Sequence, residues 1–195
     1  MHDTTDTLIM PDRRTFLRHG LVLTAGAAAF SMSPGVFAAI SKEKERVLSF
    51  YHIHTREKSK VLYWSNGRYV KDGIAEISEL LRDFRSGSIA KIDIELIDSL
   101  YALRTKLDSR HHFEVISGYR SPKTNKALRR KDHDGVAKKS YHMKGMAIDV
   151  RMPGVELSNL RKAAVSLKAG GVGYYPSSNF LHLDVGRVRQ WHGKS

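Results

Sequence analysis

The sequence predicts an α+β domain, a small antiparallel sheet with helices packed on one side. Short β-rich runs with period-two alternation stand in both the N-terminal and C-terminal parts of the chain. Apolar stripes at helical spacing fill the middle, and no repeat, low-complexity linker or second domain interrupts them.

The elements follow in order. Residues 47–52 and 60–64 read as strands separated by a polar turn, and Asn66-Gly67 signals a hairpin into residues 68–70. His52 and His54 fall on one side of this region and read as exposed strand positions. Asp72 is the expected cap of a helix whose stripe is Ile74, Ile77, Leu80, Leu81 and Phe84, with Gly87 as its stop. A second helix starts at Asp93 and carries Ile94, Ile97, Leu100, Tyr101 and Leu107. Residues 113–117 are a strand ended by Gly118, residues 122–130 look helical, and a polar basic loop runs on to Lys139. A further helix over 158–169 turns Leu160, Ala163, Ala164 and Leu167 inward and stops at Gly170-Gly171. Residues 171–175 and 181–185 close the list as strands.

The first 38 residues read as a targeting segment. Arg13-Arg14-Thr15-Phe16-Leu17 is similar to a twin-arginine export signal, residues 21–30 form a short apolar run, and Val36-Phe37-Ala38 resembles a cleavage site. The apolar run is too short for a stable membrane span. Residues 39–195 remain as one domain, expected to be a monomer in the periplasm. The net charge of +13 survives the cut, because the segment holds three Arg and three Asp. Such a surface attracts polyanions. An exported protein meets the anionic cell wall rather than nucleic acid. With no Cys, neither a disulfide nor a thiolate metal site is available.

The chemistry concentrates in the C-terminal half. His142 and Asp149 stand seven apart, and His182 follows on a second apolar run. In residues 146–150 the alternation puts Asp149 opposite Ile148 and Val150, and in 181–185 it puts His182 with Asp184. Paired strands would then turn Asp149 and His182 toward one cavity, with His142 delivered from the preceding loop and Gly145 bending it. A lone His is most often a surface or satisfied core residue, whereas a carboxylate in an apolar strand needs a partner or a cation. Two imidazoles and a carboxylate are the ligand set of a catalytic zinc site with a fourth position open. Arg120, at the end of a strand, has two readings: a fork for a substrate carboxylate or scissile carbonyl, or a surface salt bridge. Ser140 supports a ligand or caps a turn. Tyr174 and Tyr175 line a cleft or pack in the core.

Ser117-Gly-Tyr-Arg-Ser121, then Ser140-x-His-x-x-Gly-x-Ala-x-Asp149, then residues 170–176 and Asn179-Phe-x-His-x-Asp184 together resemble the LAS zinc metallopeptidases, the D-Ala-D-Ala carboxypeptidase and hedgehog-fold group. Within it the chain is most similar to the twin-arginine-exported murein endopeptidase K branch, over residues 46–191. The resemblance implies one zinc per chain on His142, Asp149 and His182, with Arg120 as a substrate or transition-state contact. It also implies hydrolysis, by a zinc-activated water, of cross-links between peptidoglycan stem peptides. Many relatives in the wider group place an acid three positions before the last His ligand; Asn179 stands there in this chain. Asp184 is the first candidate for the proton-carrying base, with a ligand-orienting role as its other reading, and His192 is the second candidate. The alternatives to an endopeptidase are a D-Ala-trimming zinc carboxypeptidase and a non-catalytic wall-binding module.

Overall fold

The computed structural model describes residues 33–131 and 136–193. In chain order the elements are α1 (Pro34–Ile40), β1 (Glu45–His52), β2 (Lys58–Ser65), β3 (Arg68–Tyr69), α2 (Lys71–Leu80), α3 (Ile94–Lys106), β4 (Phe113–Ser117), α4 (Pro122–Lys131), β5 (Ala147–Arg151), α5 (Leu157–Leu167), β6 (Gly171–Tyr175), β7 (Phe180–Asp184) and β8 (Arg189–His192). The α+β class is as expected. The strands form one open sheet in the order β3-β2-β1-β4-β5-β7-β6-β8. It is mostly antiparallel, but β1/β4 and β6/β8 run parallel. Parallel neighbours need a crossover between them, so no local hairpin signal announces either pair.

The core lies between the sheet and its helices. Leu48, Phe50, Val115, Ile148, Val150, Leu181 and Leu183 come from the strands, and Ile77, Leu96, Ile97, Leu100, Leu103, Leu160 and Leu167 from the helices. Each buried side chain of this size contributes about 1.5–3 kcal/mol, so burial is the main stabilising force in a chain without disulfides. Asn66 and Gly67, with φ of 50° and 79°, make the expected tight turn between β2 and β3.

Several boundaries differ from expectation. Val70, not Asp72, occupies the cap of α2, and Asp72 sits in its first turn, where its charge favours the helix N-terminus. The helix ends at Leu80, so Phe84 belongs to the loop that follows. Lys168, with φ of 52°, ends α5 ahead of the expected Gly170-Gly171 stop. Helix α1 was not expected. Ser33 caps it and also donates its hydroxyl to Leu167 O at 2.8 Å, while Val36 and Ile40 join the core. The cleavage predicted after Ala38 falls inside this helix. Arg13, Arg14 and the apolar run 21–30 lie outside the described residues, as does part of the loop before Lys139.

His52 is fully buried, against the expectation of an exposed strand residue. Its Nδ1 accepts from the backbone N–H of His54 and Thr55 at 3.2 and 3.4 Å, which closes the turn out of β1. Burial, and then the nearby His54, push its pKa down to about 4. The ring is therefore neutral, with its proton on Nε2. A second buried polar cluster was also unforeseen. Asp98 of α3 accepts from Arg46 and from Tyr63 Oη, both at 2.9 Å, and from Tyr69 Oη at 2.7 Å.

Candidate metal centre

The site begins at a tight turn. Ser140 caps the 3-10 helix Tyr141–Lys144, its Oγ accepting from His142 N at 3.3 Å, which decides between its two readings. Gly145 then reverses the chain with φ of 68°, and a Cβ there would lie 2.4 Å from Lys91 O. Both the left-handed backbone and the close approach require glycine. This turn delivers His142 to the end of β5.

Strands β5 and β7 pair antiparallel with Asp149 directly opposite His182. Ile148, Val150, Leu181 and Leu183 are core residues, so alternation aims Asp149 and His182 at the other face. There three donor atoms converge. His142 Nε2 stands 3.2 Å from His182 Nδ1 and 3.3 Å from Asp149 Oδ1, and His182 Nδ1 is 2.9 Å from Asp149 Oδ1. A tetrahedral zinc with ligand bonds of roughly 2.0–2.1 Å separates its donors by about 3.3 Å. The three atoms are thus the corners of such a site.

The hydrogen bonds behind the donors fix which atoms face inward. His142 Nδ1 lies 2.8 Å from Gly118 O, a carbonyl that only accepts, so the proton is on Nδ1 and the Nε2 lone pair points at the cluster. His182 Nε2 donates to Asp184 Oδ2 at 3.0 Å, leaving its Nδ1 lone pair inward. Two lone pairs and a carboxylate oxygen meeting at one point repel each other unless a cation stands between them. The electrostatics agree. Burial opposes a charge on His182, yet hydrogen bonds to Asp149 and Asp184 raise its pKa to about 9, so without a metal a proton on Nδ1 takes the cation's place. Burial likewise opposes ionisation of Asp149, but His142 and His182 hold its carboxyl far below the usual range. The donor set therefore fits a divalent ion.

Arg120 lies beside this cluster and is not a surface salt bridge. Its side chain is 13% exposed, with Nη2 3.9 Å from Asp149 Oδ2. It makes only long bonds to Asn125 and Ser117, at 3.4 and 3.5 Å, and its buried Nε has no partner. On the other flank stands Trp191, whose ring centroid is 5.3 Å from that of His182. Gly173 makes room for it, since a Cβ there would lie 2.6 Å from the indole. Trp191 Nε1 donates to Tyr175 Oη at 3.1 Å, and Tyr175 stacks on Phe180.

Asp184 shares the strand face of His182 as expected, but a proton shuttle is a poor role for it. Its side chain is fully buried. Besides His182, it accepts from Arg189 at 2.7 and 2.9 Å, Gly186 N at 2.9 Å and Gly171 N at 3.2 Å. Burial works against its charge, but these donors hold the carboxyl well below its ordinary value. His192 is excluded as a base by register. It pairs with Tyr174, one residue from Trp191, and so faces the opposite side of the sheet. Asn179 is a turn residue at φ 51°, a conformation Asn tolerates well. Sequence reasoning missed Arg189 and Trp191, because β8 reaches the site only through its parallel pairing with β6.

A buried pair of imidazoles and a carboxylate, oriented from behind and flanked by an arginine, has the donor set found in mononuclear metallohydrolases. Residues 40–191 match the family of the peptidoglycan L,D-endopeptidase MepK, and the chain belongs to that family. It is 44% identical over 180 residues to the peptidoglycan L,D-endopeptidase MepK of Escherichia coli strain K12, covering 92% of this chain and 97% of that protein. The Shigella flexneri protein of the same name matches equally. The probable peptidoglycan L,D-endopeptidase MepK of Haemophilus influenzae is 42% identical over 178 residues, 90% of this chain and 95% of that one. No solved structure matches. Nothing in these relatives favours the carboxypeptidase or the wall-binding module.

Proposed function

We propose that this chain is an exported zinc endopeptidase that hydrolyses L,D peptide bonds in peptidoglycan cross-links. The observation that carries the reading is the convergence of His142 Nε2, Asp149 Oδ1 and His182 Nδ1 within 3.3 Å, each imidazole with its proton held on the far side. These three residues would hold one zinc ion. When bound, zinc supplies a Lewis acid for the scissile carbonyl and a water that ionises near neutral pH. Gly118 O and Asp184 keep the two imidazoles in the tautomers that ligate, as ring-orienting groups do at metal sites. We assign Asp184 to that positioning role, with Arg189 holding it in turn. Arg120, desolvated and short of partners, is placed to receive developing negative charge on the carbonyl oxygen.

The relatives' name specifies an L residue on the acyl side and a D centre on the amine side. Of the cross-links between stem peptides, the 3-3 link between two diaminopimelates has that stereochemistry; the 4-3 link through D-Ala does not. Purified cross-linked dimers of each type, digested with and without chelator alongside zinc analysis, test the reading. Monomers released from 3-3 dimers by a zinc-containing, chelator-sensitive protein are expected. Shortened stems without monomer release, or activity indifferent to metal removal, would sink it.

The twin-arginine motif supports export to the periplasm, and among the described residues no helix is long and apolar enough to cross a membrane. N-terminal sequencing of the exported protein tests the cleavage. A start at Ala39 is expected; a start at or before Ser33 would mean that α1 stays in the mature domain.

A further inference from the structure

The loop between α2 and α3 carries a cation that the reaction above does not use. The loop is closed on itself, with Gly87 N donating to Asp83 O at 2.8 Å and Asp83 N to Ser88 O at 2.9 Å. The buried Asp83 carboxylate then fastens it to the Arg120 segment: Oδ1 accepts from Arg85 N at 3.1 Å and Oδ2 from Ser121 N at 2.9 Å. Tyr119 N donates to Leu81 O at 2.7 Å, a further tie between the two segments. Arg85 and Arg120 therefore hang on a single rigid frame.

The side chain of Arg85 is held without an acid. Its Cζ lies 4.1 Å from the centroid of the Phe84 ring, and Phe84 stacks on His54 at 4.2 Å with 15° between the planes. Such a cation–π contact orients a guanidinium while leaving its N–H edge free for a ligand. Arg85 is exposed and has no ion pair among the described residues. Asp83 thus holds the backbone of Arg85 to the residue that follows Arg120, so the two cations belong to one end of the site.

We propose that Arg85, on its Phe84–His54 stack, is a substrate-binding residue that takes the free carboxylate beside the scissile amide. An amide formed on the amino group at the D centre of diaminopimelate keeps that centre's own carboxylate two bonds from the scissile nitrogen. Every such cross-link presents an anion at a fixed distance from the carbonyl under attack. Arg85 holds this anion and Arg120 is left for the carbonyl oxygen, a division of labour that fixes the direction of the peptide across the metal. The inference rests on the endopeptidase reading.

The test compares 3-3 cross-linked dimers whose carboxylate at that D centre is free with dimers in which it is amidated, using the zinc-loaded protein. Wild type is expected to cleave the free acid with a KM at least tenfold lower. In Arg85→Gln that preference disappears through a rise in KM for the free acid, whereas Arg85→Lys restores part of it. Binding of a product peptide ending in the same carboxylate, measured by calorimetry on the His142→Ala protein, should weaken on adding Arg85→Gln. Equal cleavage of both substrates by wild type would overturn this proposal and leave the endopeptidase reading standing. Cleavage of neither would overturn both. A variant that slows both substrates equally would reduce Arg85 to general attraction for an anionic wall and also overturn the proposal.

Discussion

The domain buries two polar clusters, and they differ in one respect. Around Asp98, donors meet the carboxylate: Arg46, Tyr63 and Tyr69 all bond to it, and no acceptor is crowded against another. Around Asp149 the surplus is of acceptors, two imidazole lone pairs beside a carboxylate oxygen. A buried carboxylate met by donors is structural, whereas acceptors gathered round one point call for a cation. Charge and burial are alike in the two places; the balance of donors and acceptors separates scaffold from site.

The largest effect that could break this contrast is on turnover. His142→Ala should lower cross-link hydrolysis by about 10⁴-fold or more, since the metal supplies both electrophile and nucleophile. Residual activity within tenfold of wild type would remove the metal site from the mechanism. Next in size, Asp98→Ala should cost about 3–5 kcal/mol in a denaturant titration, because Arg46 is left buried and unpaired. Asp149→Ala in the zinc-free state should cost far less. Equal losses at the two aspartates would erase the distinction drawn here.

A smaller effect sharpens it. Asp184→Asn should weaken zinc binding by roughly 10–100-fold in a chelator competition, as expected for a residue that orients a ligand. If Asp184 instead carries the proton, turnover would collapse while zinc affinity held. The smallest effect concerns His52, which belongs to neither cluster. Its folded pKa is about 4, below the ordinary 6.5, so the unfolded chain binds a proton in that window that the folded chain refuses. Stability should therefore fall as pH drops from 6.5 toward 4, by about 2–3 kcal/mol from this group. In His52→Asn, which keeps an acceptor for the His54 and Thr55 amides, that part of the slope should vanish.

Much of the site was legible in the sequence. Alternation along residues 146–150 and 181–185 placed Asp149 and His182 on one face, and Gly145 marked the bend that brings in His142. The helix from Asp93 was read to its cap, whose side chain accepts from Glu95 N at 2.9 Å. What was misread shared a cause. His52 looked exposed because its strand alternates like any edge strand, yet its place beside β4 puts it under Phe84. Asp72 looked like a cap because a cap and a first-turn acid share composition. Asp184 kept two readings because position on a face says nothing about how many donors will surround it.

The sequence by itself determined the identity of the three donors, their arrangement on alternating strands, and the turn that unites them. These follow from spacing and from the short-range geometry of the backbone. Only the tertiary structure decided which nitrogen of each imidazole faces inward, that Arg189 and Trp191 complete the surroundings, and that Arg85 and Arg120 share a frame. Those facts depend on β8 lying parallel to β6 and on one loop being tied to another. Such contacts form between residues far apart in the chain, where register is set by burial of the whole core rather than by any neighbour in sequence.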